Sequence, residues 1–104
     1  MLAIKSLLEM TGLPVREERF LGIMPLPVIV YTDDVEIGGA DLKNNLITHN
    51  IGIEFYSETI DLENEARIEL LLDNLPIRYT RSRDWIESEK FFSTIYEFTI
   101  TERK

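Results

Sequence analysis

The stretch Ile47–Leu75 changes its hydrophobic period part-way along, and few folds accommodate such a change. From Ile47 to Tyr56 apolar residues alternate, so Ile47, Ile51, Ile53 and Phe55 share one face of a strand. Beyond Ser57-Glu58-Thr59-Ile60 the period lengthens, and Ile68, Leu71, Leu72 and Leu75 recur at the i, i+3, i+4, i+7 spacing of a helix. Asp61 is placed to cap this helix, and Glu63 and Glu65 suit its positive first turn. Asn74-Leu75-Pro76 ends it, because the residue before proline is pushed out of the helical region. A core strand that hands over to an amphipathic helix predicts a sheet with the helix laid across it.

The rest of the chain is arranged around that unit. Residues 1–11 read as a short helix with Ile4, Leu7 and Leu8 on one stripe, closed by Gly12 as a left-handed cap and by Pro14. Val15–Gly22 reads as a polar connector. Val28-Ile29-Val30-Tyr31-Thr32 is a continuous β-branched run, which predicts an interior strand covered on both faces. Asp33–Ile37 alternates and Gly38-Gly39 supplies turn residues, so residues 28–57 form a meander with an acidic arm near 33–44. Ile77–Arg83 reads as a strand. Lys90–Thr101 reads as the clearest strand, with Phe92, Thr94, Tyr96, Phe98 and Ile100 on one face. The order is helix, three strands, helix, two strands: one α+β domain over 1–104, with a mainly antiparallel sheet of about five strands and two helices packed on it.

Composition narrows the function. The chain has no cysteine, which removes disulfides, thiolate metal sites and cysteine nucleophiles. Its formal net charge of −8 repels phosphate backbones and anionic membranes. No run approaches the ~18 apolar residues that a membrane span requires.

Each candidate for chemistry has a plainer alternative. The acidic arm, Asp33, Asp34, Glu36 and Asp41, fails the calcium-loop pattern, since Val35 and Ile37 occupy its third and fifth positions; a solvated hairpin fits better. His49 is the one histidine, too few for a conventional zinc site, and it shares a face with Ile47 and Ile51 near the strand's entry. A partly buried or rim histidine is expected there rather than a general base. Arg78, Arg81 and Arg83, interleaved with Tyr79 and followed by Trp85, form the one basic patch. Nucleic-acid stacking is possible in principle, but Asp84, Glu87 and Glu89 follow at once. Ion pairs with acidic neighbours, in the fold or in a partner subunit, fit better. Glu65, Glu69 and Asp73 form an acidic stripe, read as lying away from the leucines and able to meet those arginines across an interface. No Gly-rich phosphate loop or nucleophile elbow is present. The residues favour binding or assembly over catalysis.

Several segments together resemble a known family. These are Thr-Gly-Leu-Pro-Val at 11–15, Pro-Leu-Pro-Val-Ile-Val-Tyr at 25–31, Ala-Asp-Leu-Lys-Asn at 40–44, Ile-x-Ile-Glu-Phe-Tyr-Ser-Glu at 51–58 and Tyr-Glu-Phe-Thr-Ile at 96–100. They resemble the small tail terminator proteins of long-tailed phages and prophages of Gram-positive bacteria. The resemblance implies an α+β subunit, no cofactor, no catalytic residue, and a hexameric ring that caps the tail tube, stops its polymerisation and presents a surface to the head-completion protein. It implies assembly in the host cytoplasm and then a place in the virion at the head–tail junction. In that setting Arg78, Arg81, Arg83, Glu65, Glu69 and Asp73 are candidate interface residues, and the acidic arm is a candidate lumen or partner-facing element. Head-closure and head–tail joining proteins are the nearest alternatives, followed by a small non-viral ligand-binding domain.

Overall fold

A computed structural model describes residues 3–17, 25–38 and 46–103. The elements are α1 (Ile4–Glu9), β1 (Val15–Glu17), β2 (Val28–Gly38), β3 (Leu46–Ser57), α2 (Leu62–Asp73), β4 (Thr80–Ile86) and β5 (Phe91–Arg103). The sheet order is β1-β2-β3-β5-β4. β1 runs parallel to β2, and the other three pairings are antiparallel. The α+β architecture, its mainly antiparallel sheet and its two packed helices agree with the expectation from the sequence.

The helices share one face of the sheet. Ile4 and Leu8 of α1 and Ile68 and Leu72 of α2 join Ile29, Ile51, Ile53, Phe55, Tyr96 and Phe98 in a single apolar cluster. The caps act as their residues predict. The Asp61 carboxylate accepts from the Asn64 backbone N–H at 3.1 Å, satisfying one of the helix's unpaired donors. Gly12 takes a φ of +83°, and the Thr11 hydroxyl donates to the Leu8 carbonyl at 2.7 Å.

Three strand assignments need correction. Val15-Arg16-Glu17 is not connector; it pairs with Ile29-Val30-Tyr31 as a parallel edge strand. Three residues with one buried valine carry too little periodicity to be seen without that partner. Asp33–Ile37 is not a separate strand but the continuation of β2, in unbroken register with β3 from Val28↔Tyr56 to Gly38↔Leu46. The strand read at 77–83 starts at Thr80, so Arg78 precedes it, and the strand runs on through Trp85 to Ile86.

Register also gives the sheet its outline. Thr32, Gly52, Glu97 and Thr80 form one row across β2, β3, β5 and β4. Among the described residues, β4 and β1 contribute nothing beyond this row. Residues 33–38, 46–51 and 98–103 therefore continue as a three-stranded blade. Every residue from Asp33 to Ile37 is exposed, Val35 by 51% and Ile37 by 56%, so this part of β2 lies outside the core.

Candidate interaction surfaces

The basic strand and the acidic helix stripe meet inside the subunit. Alternation along β4 puts Arg81 and Arg83 on the helix-covered face, opposite Tyr96 and Thr94 of β5. Arg83 makes a two-pronged contact with Glu65, donating from Nε to Oε2 at 2.9 Å and from Nη2 to Oε1. The Thr94 hydroxyl donates to the same carboxylate at 3.0 Å. Arg81 donates to Glu69 at 3.0 Å, and the Tyr96 hydroxyl donates to Glu69 at 2.9 Å. Tyr79 closes the row by donating to Asp73 at 2.7 Å.

This corrects the orientation of the stripe. Glu65 is 1% exposed and shares the buried side of α2 with Ile68 and Leu72, while Leu70 on the outer side is 65% exposed. A rule that places carboxylates outward fails here because β4 supplies a guanidinium that pairs with Glu65 beneath α2. A buried carboxylate is tolerated when it is paired and fully hydrogen-bonded. Burial pushes the Glu65 carboxyl upward, but hydrogen bonds from Arg83 and Thr94 and the charges of Arg83 and Arg81 outweigh it. Glu65 is held below the ordinary carboxylate value. The hydrogen bond to Asp73, followed by burial, pushes the Tyr79 phenol up to about 12. Burial and then Glu69 push Tyr96 upward as well.

Arg81 keeps 47% of its side chain exposed while bound to Glu69. Arg78 is exposed and has no ion-pair partner among the described residues. The guanidinium groups of Arg81 and Arg78 thus remain accessible to solvent at the β4 margin, beside the exposed Asp84.

The acidic arm divides in two. Asp41 lies outside the described residues. Asp34 and Glu36 point to the sheet face opposite the helices, where Asn50 donates to Glu36 at 3.4 Å. Asp33 points to the helix side and engages His49, which is 6% exposed. The His49 Nδ1 lies 2.9 and 3.0 Å from the two Asp33 oxygens, and Nε2 lies 3.4 Å from Glu102 of β5. The one histidine is thereby clasped from both flanking strands across the blade. The Asp33 hydrogen bond raises its pKa, burial opposes this, and the charges of Asp33 and Glu102 add to the rise. The two carboxylates address opposite ring nitrogens, so the three groups do not converge on one point as metal ligands must. Sequence reasoning placed His49 on the correct face but missed both partners, because Asp33 and Glu102 are adjacent only through strand register.

The opposite sheet face carries Asp34, Glu54 and Glu97, together with a shallow groove of about 370 Å³ over Gly52. The groove exists because position 52 has no side chain. A Cβ there would stand 2.9 Å from the Thr32 hydroxyl.

Comparison with known proteins yields a likeness of fold. A chain from the virion of a native gene transfer agent particle superposes with a TM-score of 0.64 over 93% of this chain and 84% of its own length, at 12% sequence identity. No protein-family model and no curated protein sequence matches.

Proposed function

We propose that this chain is a structural protein of a phage-like virion and acts there as a tail terminator. In this role copies of the chain form a ring, hexameric in the family it resembles, on the head-proximal end of the finished tail tube. The ring blocks further addition of tube subunits and offers its other face to the head-completion protein. The observation that carries the reading is the fold shared, over nearly its whole length, with a virion chain of a gene transfer agent particle. The sequence resemblance supports the finer assignment.

The surfaces fit an assembly role. The arginines and helix carboxylates stiffen one margin of the subunit, and a blade projects beyond the core. Asp34, Glu36, Glu54 and Glu97 give the sheet face opposite the helices a negative character. Such a surface facing a lumen would repel passing DNA rather than bind it. The role requires no cofactor and no catalytic residue.

Deleting the coding sequence from the host genome and imaging the induced particles tests the role. Tail tubes of uncontrolled, excessive length and no attached heads are the expected result. Tails of normal length with detached heads would overturn the terminator role in favour of head closure or head–tail joining. Intact, infectious particles would overturn a virion role altogether.

A further inference from the structure

We propose that successive copies of the chain join edge to edge, with the β4 margin of one copy pairing antiparallel to Asp33–Ile37 of the next. The inference deepens the assembly role above and rests on it for the identity of the partner as a second copy.

The sheet has two margins of different kinds. Among the described residues, β4 pairs on one side only, with β5. Among the described residues β1 covers β2 only at Ile29–Tyr31, and none of them forms a strand on that same side of Asp33–Ile37. All five of those residues are exposed. Unpaired strand edges are templates for further pairing, and proteins commonly guard them with charge. The guarding charge here differs in balance: Asp33, Asp34 and Glu36 on one edge, and Arg78, Arg81 and Arg83 with the single carboxylate of Asp84 at the other.

That difference selects the mode of pairing. Two β2 edges facing each other would oppose carboxylates, and two β4 edges would oppose guanidiniums; like charges directly across a strand pair are unfavourable. A β4 edge against a β2 edge brings opposite signs together. The arginines do not have to leave their internal partners, because Arg81 is still 47% exposed and Arg78 is free of ion pairs among the described residues. Apolar surface is matched as well: Trp85, 42% exposed, lies on the helix side of β4, the side on which Val35 and Ile37 extend from β2.

Strand direction agrees. β2 and β5 run one way and β3 and β4 the other, so repeating the subunit in one orientation sets β4 antiparallel to the next β2. The two edges lie on opposite sides of the sheet. The contact is therefore head-to-tail, the kind that closes into a ring when the rotation permits and otherwise grows as a filament.

The absence of native cysteine makes the test clean. Asp34, Glu36 and Ser82 all lie on the sheet face away from the helices, and none takes part in the Glu65–Arg83 network. Full-length Asp34→Cys and Glu36→Cys proteins are each mixed with Ser82→Cys and oxidised at high protein concentration, with each single variant alone as control. Light scattering of the cysteine-free protein gives the native mass. The expected result is a mixed disulfide between position 34 or 36 and position 82 that exceeds self-crosslinking at least several-fold. It should be lost when Arg78→Glu and Arg81→Glu are added to the Ser82→Cys partner. Crosslinking confined to like positions, or none in either mixture, would overturn the edge pairing. A ring mass without the mixed disulfide would do so while leaving the ring intact as a reading. The mixed disulfide in open filaments at every concentration would support the pairing and count against a closed cap.

Discussion

Replacing Arg83 by methionine isolates the interaction that fixes α2 to the sheet margin. The change removes the two-pronged donor and leaves Glu65, 1% exposed, with the Thr94 hydroxyl and an Arg81 guanidinium 3.9 Å away. Removing one partner of a buried ion pair costs about 3–5 kcal/mol. The residual Arg81 charge, and the 26% exposure of the Arg83 side chain, put the loss at the lower end, about 3 kcal/mol. Urea unfolding followed by the fluorescence of Trp85 would report it as a midpoint lowered by about 1–3 M for a typical small-domain slope.

The sign with pH is fixed by the same carboxyl. In the native chain Glu65 is held below its ordinary value, so its contribution is present above the ordinary carboxylate pKa of 4.5 and is lost as pH falls through the folded value. In the variant burial acts with its main partner gone, and the carboxyl prefers to be protonated. The gap between variant and native protein is then widest near neutral pH and narrows below about pH 5. The double variant Glu65→Leu/Arg83→Met removes both charges and should recover most of the loss, since apolar replacement of a buried pair is often neutral or better. A loss below about 1 kcal/mol, or one unchanged between neutral and acid pH, would refute the reasoning.

Two further perturbations probe the blade and the sheet face opposite the helices. His49 gains Asp33 on folding and its pKa is raised, so its contribution is fully present below the ordinary value of 6.5 and disappears as pH rises through the folded value. An imidazole titration by NMR should show it titrating above 6.5, and His49→Gln should flatten that limb of the stability profile; titration below 6.5 contradicts the double clasp. Gly52→Ala sets a methyl 2.9 Å from the Thr32 hydroxyl and should cost about 1 kcal/mol, with Thr32→Ala restoring most of it in a double-mutant cycle; additive effects would show that the two do not touch.

The period change across Ile47–Leu75 made the architecture legible, because strand and helix periodicities are local and the core residues obey them. Ile51, Ile53, Phe55, Ile68 and Leu72 are all buried as their spacing predicts. What the chain hid is what depends on register between distant segments. Val15–Glu17 becomes a strand only beside Ile29–Tyr31, and Glu65 turns inward only because Arg83 waits on β4. His49 meets Asp33 and Glu102 only because β2 and β5 flank β3. Polar residues read singly as solvated thus proved to be paired, and pairing is invisible until the strands are aligned. The arginine and carboxylate groups were legible as a list of residues but not as a geometry. Arg81, Arg83, Glu65 and Glu69 hold one another within a subunit, while Asp34 and Glu36 remain turned toward solvent.

Locating the chain within a particle distinguishes a tail terminator from the other virion roles. Cryo-electron microscopy of particles carrying a small tag at the C-terminus of this chain would show its density. A tail terminator should appear as a single ring of tagged subunits at the head-proximal end of the tail tube. Density at the distal tip, on the capsid shell or along the tube wall, or particles without the tag, would contradict it.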